Sequence, residues 1–341
     1  MPQTPMPTDP LIQIRDLQTH FFTDDGVVKA VDGVDLDIHA NRTLCILGES
    51  GCGKSIMARS ILRIVDAPGR IVEGSILYRN AHGGSVDLAT ARPGSRQLRE
   101  IRGQDIAMIF QEPMSSLGPI QKIGRQITET IMLHRKVTKA EAREIAIDLL
   151  DRVGIPRPAE RFEAYPFELS GGMRQRAMIA MALSCQPRLL IADEPTTALD
   201  VTTQAQILDL IAELKEELQM GVMLITHDLG VVAEVAEEVA VMYMGKVVER
   251  GDVFSIFEAP QHPYTRALLA SVPRMGQGRR DRLPAIRGMV PHPLARPAGC
   301  AFRARCDHAM PGICDARQPA LKPVGRTEAA CFLHHKEALH D

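Results

Sequence analysis

The sequence predicts an α/β fold. A largely parallel sheet carries a phosphate-binding loop, a helical insert interrupts the sheet, and a small cysteine-rich tail follows. Three observations predict it. Gly48-Glu49-Ser50-Gly51-Cys52-Gly53-Lys54-Ser55 stands between a short apolar run and a helix-forming stretch, the strand–loop–helix context a phosphate loop requires. Apolar runs at Thr43–Leu47, Ile106–Phe110, Leu189–Ala192 and Val222–Thr226 alternate with helical periodicity, the rhythm of strand–helix–strand units. Four of the seven cysteines fall within residues 300–331, beyond a shift toward Pro, Arg and His that begins after Pro260.

In chain order, residues 11–40 read as short strands with turns, Asp24-Asp25-Gly26 being a hairpin signal. Thr43 to Leu47 is a buried strand, and a helix runs from Lys54 on. Residues 66–105, with Gly, Pro and mixed polarity, read as an antiparallel strand region, and Ile106 to Phe110 as another buried strand. From Ile120 to Arg152 the period turns helical; Thr138-Lys139-Ala140-Glu141 is a capping box and Gly154 a stop. The helix from Ser170 extends to about Cys185. Leu189 to Ala192 is a strand, Thr202 to Glu217 a helix and Val222 to Thr226 a strand, and Val239–Met244 with Val247–Arg250 reads as a closing hairpin. The periodicity fades after Pro260, so a domain of residues 11–259, with a helical subdomain at about 112–186, is expected to precede a loop-rich tail of residues 260–341.

Composition bounds the function. The chain has 341 residues, 45% of them hydrophobic, enough for a core without disulfides. A net charge of −2 gives no global pull toward nucleic acid. No run of about 18 apolar residues reaches bilayer length, and Met1 to Pro10 lacks the features of a signal peptide; a cytoplasmic protein is expected.

Gly48 to Ser55 matches G-x-x-x-x-G-K-[ST]. Its glycines let backbone N–H groups turn inward onto phosphates, and the following helix adds its positive end. Lys54 is placed to reach the β- and γ-phosphates and Ser55 to ligate Mg²⁺. Asp193, at the tip of the third apolar run, suits the Mg²⁺ shell; Glu194, one residue on, suits orientation of the attacking water. Gln111 and His227 each follow a strand in the same way, completing a cluster at the carboxyl edge of a sheet. Ser170-Gly171-Gly172 opens another helix with an N-cap and a bare backbone, a second anion site. One triphosphate does not need both on one subunit, so this second site is expected to serve nucleotide held by another subunit.

With these residues in view, the chain resembles an ABC-transporter ATPase subunit: a P-loop NTPase with a RecA-like core, an antiparallel β subdomain and a helical subdomain. The resemblance runs from about residue 11 to the end. It implies a Walker A motif at 48–55, with Ile56 completing the nucleotide-binding set, and a Q-loop at Gln111, which would also ligate Mg²⁺. It further implies a signature at Leu169-Ser170-Gly171-Gly172-Met173, a Walker B motif at 190–194, a D-loop at Ala198-Leu199-Asp200 and an H-loop at His227. The segments Phe110-Gln111-Glu112-Pro113-Met114-Ser115-Ser116-Leu117, Met173-Arg174-Gln175-Arg176 and His262-Pro263-Tyr264-Thr265-Arg266-Ala267-Leu268-Leu269 are similar to the oligopeptide/dipeptide importer subfamily, closest to the D-subunit type of dipeptide permeases. Phe21 falls where that family stacks an aromatic on adenine, with Phe22 as the alternative. Gly118 and Phe167 stand where the family usually has Asn and His.

The resemblance implies ATP and Mg²⁺ as ligands and a second ABC ATPase subunit, a paralogue, as partner. It also implies two integral membrane permease subunits, an extracytoplasmic substrate-binding protein acting indirectly, no nucleic acid, and a place at the cytoplasmic face of the membrane. Cys300, Cys306, Cys314 and Cys331 are separated by five, seven and sixteen residues, which fits neither a zinc ribbon nor the common ferredoxin spacings. The family's tail implies a 4Fe–4S cluster on these four, with zinc as second choice and free cysteines as the plain alternative. Two function classes compete with peptide import: import of a related cargo such as a nickel chelate or glutathione, and a soluble ABC ATPase of DNA repair or translation. The second is disfavoured by a single Walker A and the lack of sustained heptads.

Overall fold

The computed structural model describes residues 9–112, 116–197, 199–271 and 286–334. Pro113, Met114, Ser115 and Ala198 of the motifs above lie outside them.

β1 (Ile12–Thr23) and β2 (Gly26–Ile38) flank the Asp24-Asp25 turn. Both are longer than the short strands expected, and they bury Ile12, Ile14 and Leu17 from one and Val31, Val34 and Leu36 from the other. β3 (Thr43–Leu47) is buried throughout, and α1 (Lys54–Ile61) starts at the residue expected. β4 (Gly69–Arg79) pairs antiparallel with β5 (Ser85–Asp87). The antiparallel reading of 66–105 stops there, because α2 (Arg96–Gln104) follows, capped by the Ser95 hydroxyl, which accepts the Leu98 N–H. Only Leu98 and Ile101 of α2 are buried, a stripe too thin to stand out in sequence.

β6 (Ile106–Ile109) leads to α3 (Ile123–His134), α4 (Lys139–Arg152) and α5 (Pro158–Phe162). The capping box forms as read: Thr138 Oγ1 accepts the Glu141 N–H and Glu141 accepts the Thr138 N–H. A Cβ on Gly124 would lie 2.2 Å from Phe162 Cγ, so the Phe162 ring of α5 packs directly on the α3 backbone. α6 (Gly171–Leu183) ends two residues before the expected Cys185. β7 (Leu189–Asp193), α7 (Val201–Leu218) and β8 (Gly221–Thr226) then restore the alternation.

α8 (Leu229–Val235) precedes the hairpin of β9 (Glu238–Tyr243) and β10 (Lys246–Asp252). Two further helices follow, α9 (Val253–Glu258) and α10 (Pro263–Ala270). The second was masked in sequence by the Pro- and His-rich composition. Pro263 sits at its first turn and His262 Nδ1 accepts the Tyr264 N–H, so the same residues start the helix. Residues expected to be loop-rich supply β11 (Lys322–Val324) and β12 (Thr327–Ala329). β12 pairs antiparallel with β10 at Glu249↔Ala329, Arg250↔Glu328 and Gly251↔Thr327, and Arg250 Nε donates to Glu328 Oε2.

The described chain divides into two compact units, each assembled from separated stretches. One takes residues 9–12, 37–43 and 77–225; the other takes 13–36, 44–76 and 226–334. In the first, β6, β7 and β8 run parallel side by side, from Ile106↔Leu189 and from Leu189↔Gly221. In the second, β3 runs parallel to β9 (Leu44↔Glu238), and β9, β10, β12 and β11 continue antiparallel. No helix among the described residues is long and apolar enough to cross a membrane.

Candidate functional site

In the second unit, β3 delivers the chain into the loop 48–55. Gly53 has φ +105°, and a Cβ there would stand 2.1 Å from the Ala30 carbonyl oxygen, so only glycine fits. Lys54 is 5% exposed, and its Nζ donates to the carbonyls of Gly48 (2.7 Å) and Glu49 (3.1 Å). Its charge is thus held inside the loop. Cys52 is buried, with Sγ 3.8 Å from Lys54 Nζ; burial pushes its thiol up despite that neighbour, which suits a small filler and not a nucleophile.

An open cleft of about 750 Å³ is lined by Gly48 and Glu49 of the loop and by His227, Asp228 and Gly230 beyond β8. His227 is exposed. Asp228 Oδ1 accepts the Gly230 N–H at 2.8 Å and starts α8, which fixes the backbone beside the histidine. Two contacts to the loop gave no sequence signal. Glu49 donates its N–H to Tyr264 Oη (2.9 Å), and its carboxylate takes two bonds from Arg305, Nη1 to Oε2 at 2.6 Å and Nη2 to Oε1 at 3.0 Å. Of the two aromatic candidates, Phe21 is half-buried, its Cε1 2.6 Å from where a Cβ on Gly69 would lie. Phe22 is 38% exposed, with the Arg70 guanidinium 4.2 Å from its ring centre.

In the first unit, the parallel strands β6 and β7 bring their following residues together. Gln111 Nε2 donates to Glu194 Oε2 at 2.9 Å, and Thr197 Oγ1 donates to the same oxygen at 3.0 Å. The amide oxygen of Gln111 is thereby turned away from the carboxylate. Glu194 adopts φ +47°, an uncommon conformation for a non-glycine residue, held by its N–H bond to the Ile225 carbonyl (2.9 Å). Asp193 at the end of β7 is 3% exposed. Within this unit Gln111 and Asp193 offer amide and carboxylate oxygens, hard donors of the kind Mg²⁺ takes.

Ser170 caps α6, its Oγ accepting the Met173 N–H at 3.3 Å. A Cβ on Gly171 would meet nothing within 4 Å, so this helix start presents bare backbone to solvent; on Gly172 it would meet Thr203 Cγ2 at 3.0 Å. Thr203 is in turn held by Asp200, which caps α7 by accepting the Thr203 N–H (2.9 Å) and hydroxyl (2.7 Å). Those bonds hold the Asp200 carboxyl below its ordinary range. The signature and D-loop candidates are therefore neighbours through one threonine.

Cys300, Cys306, Cys314 and Cys331 line one small pocket, with Met310 and Phe332 among its other walls. Cys314 Sγ accepts the Met310 N–H at 3.4 Å. Burial pushes the Cys300, Cys306 and Cys331 thiols up, Cys331 to about 11. All four are free, and among the described residues no three His, Cys, Asp or Glu side chains form a group able to hold a metal ion. The four cysteines share the lining of this pocket but form no preformed ligand set, so neither the metal nor the cluster expectation gains support.

Comparison with known proteins bears on both ends of the chain. The family model described as ABC transporter matches residues 31–197, and that described as the oligopeptide/dipeptide transporter C-terminal region matches residues 248–314. A probable peptide ABC transporter ATP-binding protein of Sinorhizobium fredii is 48% identical over 333 residues, 97% of each chain. A putative peptide import ATP-binding protein of Brucella melitensis is 50% identical over 338 residues, 97% of this chain and 99% of its own. Among solved structures, a post-hydrolysis dimer of an ATP-binding cassette bound to ADP and Pi superposes with a TM-score of 0.63 at 25% identity, over 71% of this chain and 98% of that one. A Clostridium perfringens protein that is part of an ABC transporter complex gives 0.60 at 27% identity, over 74% and 92%.

Proposed function

We propose how the site works in a chain that belongs to the ABC transporter family as an ATP-binding, ATP-hydrolysing subunit for peptide import. Near-full-length similarity to peptide-import proteins carries the family and replaces the DNA-repair or translation alternative. The residue roles are our reading. Gly48 to Ile56 hold the triphosphate, Lys54 neutralises its β- and γ-oxygens, and Phe21 stacks on adenine. Ser55, Asp193 and Gln111 are the residues that would hold Mg²⁺, which would supply neutralisation of charge on the phosphates. Glu194 accepts a bond from the attacking water and aims it at the γ-phosphate, and His227 steadies the phosphate that leaves.

The single observation that carries this reading is the convergence of Gln111 and Thr197 on one oxygen of Glu194. It ties the Q-loop residue to the base and orients the Glu194 carboxylate. Ser170, Gly171 and Gly172 cover nucleotide bound by a second ATPase subunit, a paralogue, and Asp200 sets their approach. ATP would close the pair and hydrolysis would reopen it, driving two permease subunits at the cytoplasmic face of the membrane; the cargo is a di- or oligopeptide delivered by a binding protein.

Glu194→Gln in the assembled transporter is expected to keep ATP binding, lose turnover by about 10²-fold or more, and trap the closed pair. Turnover near wild type would overturn the assignment of the base.

Residues 260–341 are read as the family's C-terminal unit, whose four cysteines hold a 4Fe–4S cluster. The shared pocket of the four cysteines and the Met310 N–H bond to Cys314 support this. Iron and acid-labile sulfide measured on anaerobically purified protein test it, and iron-free, zinc-loaded or metal-free protein would refute it.

A further inference from the structure

We propose that Arg305 is a positioning residue for the nucleotide site, holding the phosphate loop through Glu49 from within the cysteine-bearing segment. This rests on reading residues 48–55 as the ATP phosphate loop. The Arg305 side chain is 4% exposed and its guanidinium is fixed on several sides. Two nitrogens meet the two Glu49 oxygens, Nε donates to the Arg287 carbonyl at 3.0 Å, and the Tyr243 hydroxyl lies 3.4 Å from Nη1. The rings of Tyr243 and Phe302 each stand 5.8 Å from its central carbon.

A planar fork meeting a carboxylate in two parallel bonds sets direction as well as charge, which lysine cannot reproduce. The mount is stiff. Arg305 directly precedes Cys306, the Cys306 N–H bonds the Arg303 carbonyl, and the Cys300 N–H bonds the Cys314 carbonyl at 2.8 Å.

Glu49 is no bystander in the loop. It lines the cleft with Gly48 and His227, its own carbonyl accepts Lys54 Nζ at 3.1 Å, and that carbonyl also takes the Cys52 N–H. Its backbone N–H is bound by Tyr264 of α10. Side chain and backbone of this one residue are thus both anchored to C-terminal residues, and a shift of Glu49 moves an acceptor of the phosphate lysine. The chain of contacts runs Arg305, Glu49 carboxylate, Glu49 carbonyl, Lys54.

The test is a mutant cycle on the full chain, assembled with its permease and second ATPase subunit, reading KM and kcat for ATP and binding of a fluorescent ATP analogue. Contacting residues couple over roughly 2- to 150-fold, and Arg305→Ala is expected to raise KM and the analogue's Kd by about tenfold while kcat changes by less than about twofold. Arg305→Lys should fall between, and Glu49→Gln alone should resemble Arg305→Ala. In the Glu49→Gln background, Arg305→Ala should add little. Unchanged KM, equal losses in kcat and KM, or additive effects of the two substitutions would each overturn the proposal. Should Arg305→Ala not fold, Arg305→Lys and Glu49→Gln carry the same cycle. Lys54→Ala separates the two levels: retained analogue binding there would overturn the phosphate-loop reading itself.

Discussion

Gly53 and His262 show how single residues set the behaviour of the site and its surroundings. Gly53→Ala would press a Cβ to 2.1 Å from the Ala30 carbonyl at a left-handed φ. It should abolish ATP-analogue binding and destabilise the chain by more than about 1 kcal/mol, read as nucleotide affinity and denaturant midpoint. His262 is wholly buried, and that burial lowers its pKa to about 3, against an opposing bond with the Ala330 backbone. The native imidazole stays neutral while the unfolded one takes a proton near pH 6.5. Below pH 6.5 the unfolded chain therefore binds a proton the native chain refuses, and stability falls with pH until about pH 3. The slope is at most roughly 1.36 kcal/mol per pH unit, so roughly 2 kcal/mol is lost between pH 6.5 and 5. Chemical denaturation of His262→Gln should lack that loss; an unchanged pH profile would assign it to other groups. The catalytic candidates Gln111 and Glu194 were legible because each follows a short apolar run. Thr197 was not, since one threonine in a turn carries no pattern, and neither was Arg305, whose partner is 256 residues away.

Among the elements, α4 depends on its start. Thr138→Ala removes the hydroxyl that accepts the Glu141 N–H and one of the two bonds that hold the Glu141 carboxylate. It should cost about 1 kcal/mol, measured as a lower denaturant midpoint with unaltered slope. Gly124→Ala should cost more, about 1–3 kcal/mol, because the added methyl would drive into the Phe162 ring. Buried strands β3, β6, β7 and β8 and the α4 cap were readable since each is specified locally, by an apolar run or a box of four residues. α2 was hidden by its two-residue apolar stripe. β11 and β12 are three residues each, and exist because β10 offers them an edge. A partner of that kind leaves no mark in the strand's own sequence.

For the whole molecule, the C-terminal strands have a protective role. Ending the chain at Pro319 would strip β12 from Glu249, Arg250 and Gly251 and leave β10 with unpaired backbone groups. The shortened chain should self-associate, seen as concentration-dependent growth in light scattering; a monodisperse product would show that the edge is guarded otherwise. The separation between Glu49 and Arg305 also has a consequence in time. At synthesis rates of about 5–20 residues per second, the phosphate loop waits roughly 13 to 50 s after it is made before its guanidinium is made. During translation the early half of the chain carries every nucleotide-reading glycine yet lacks the clamp that aims them. A nascent or prematurely terminated product that lacks Arg305 is therefore expected to hold ATP more weakly than a chain that carries it.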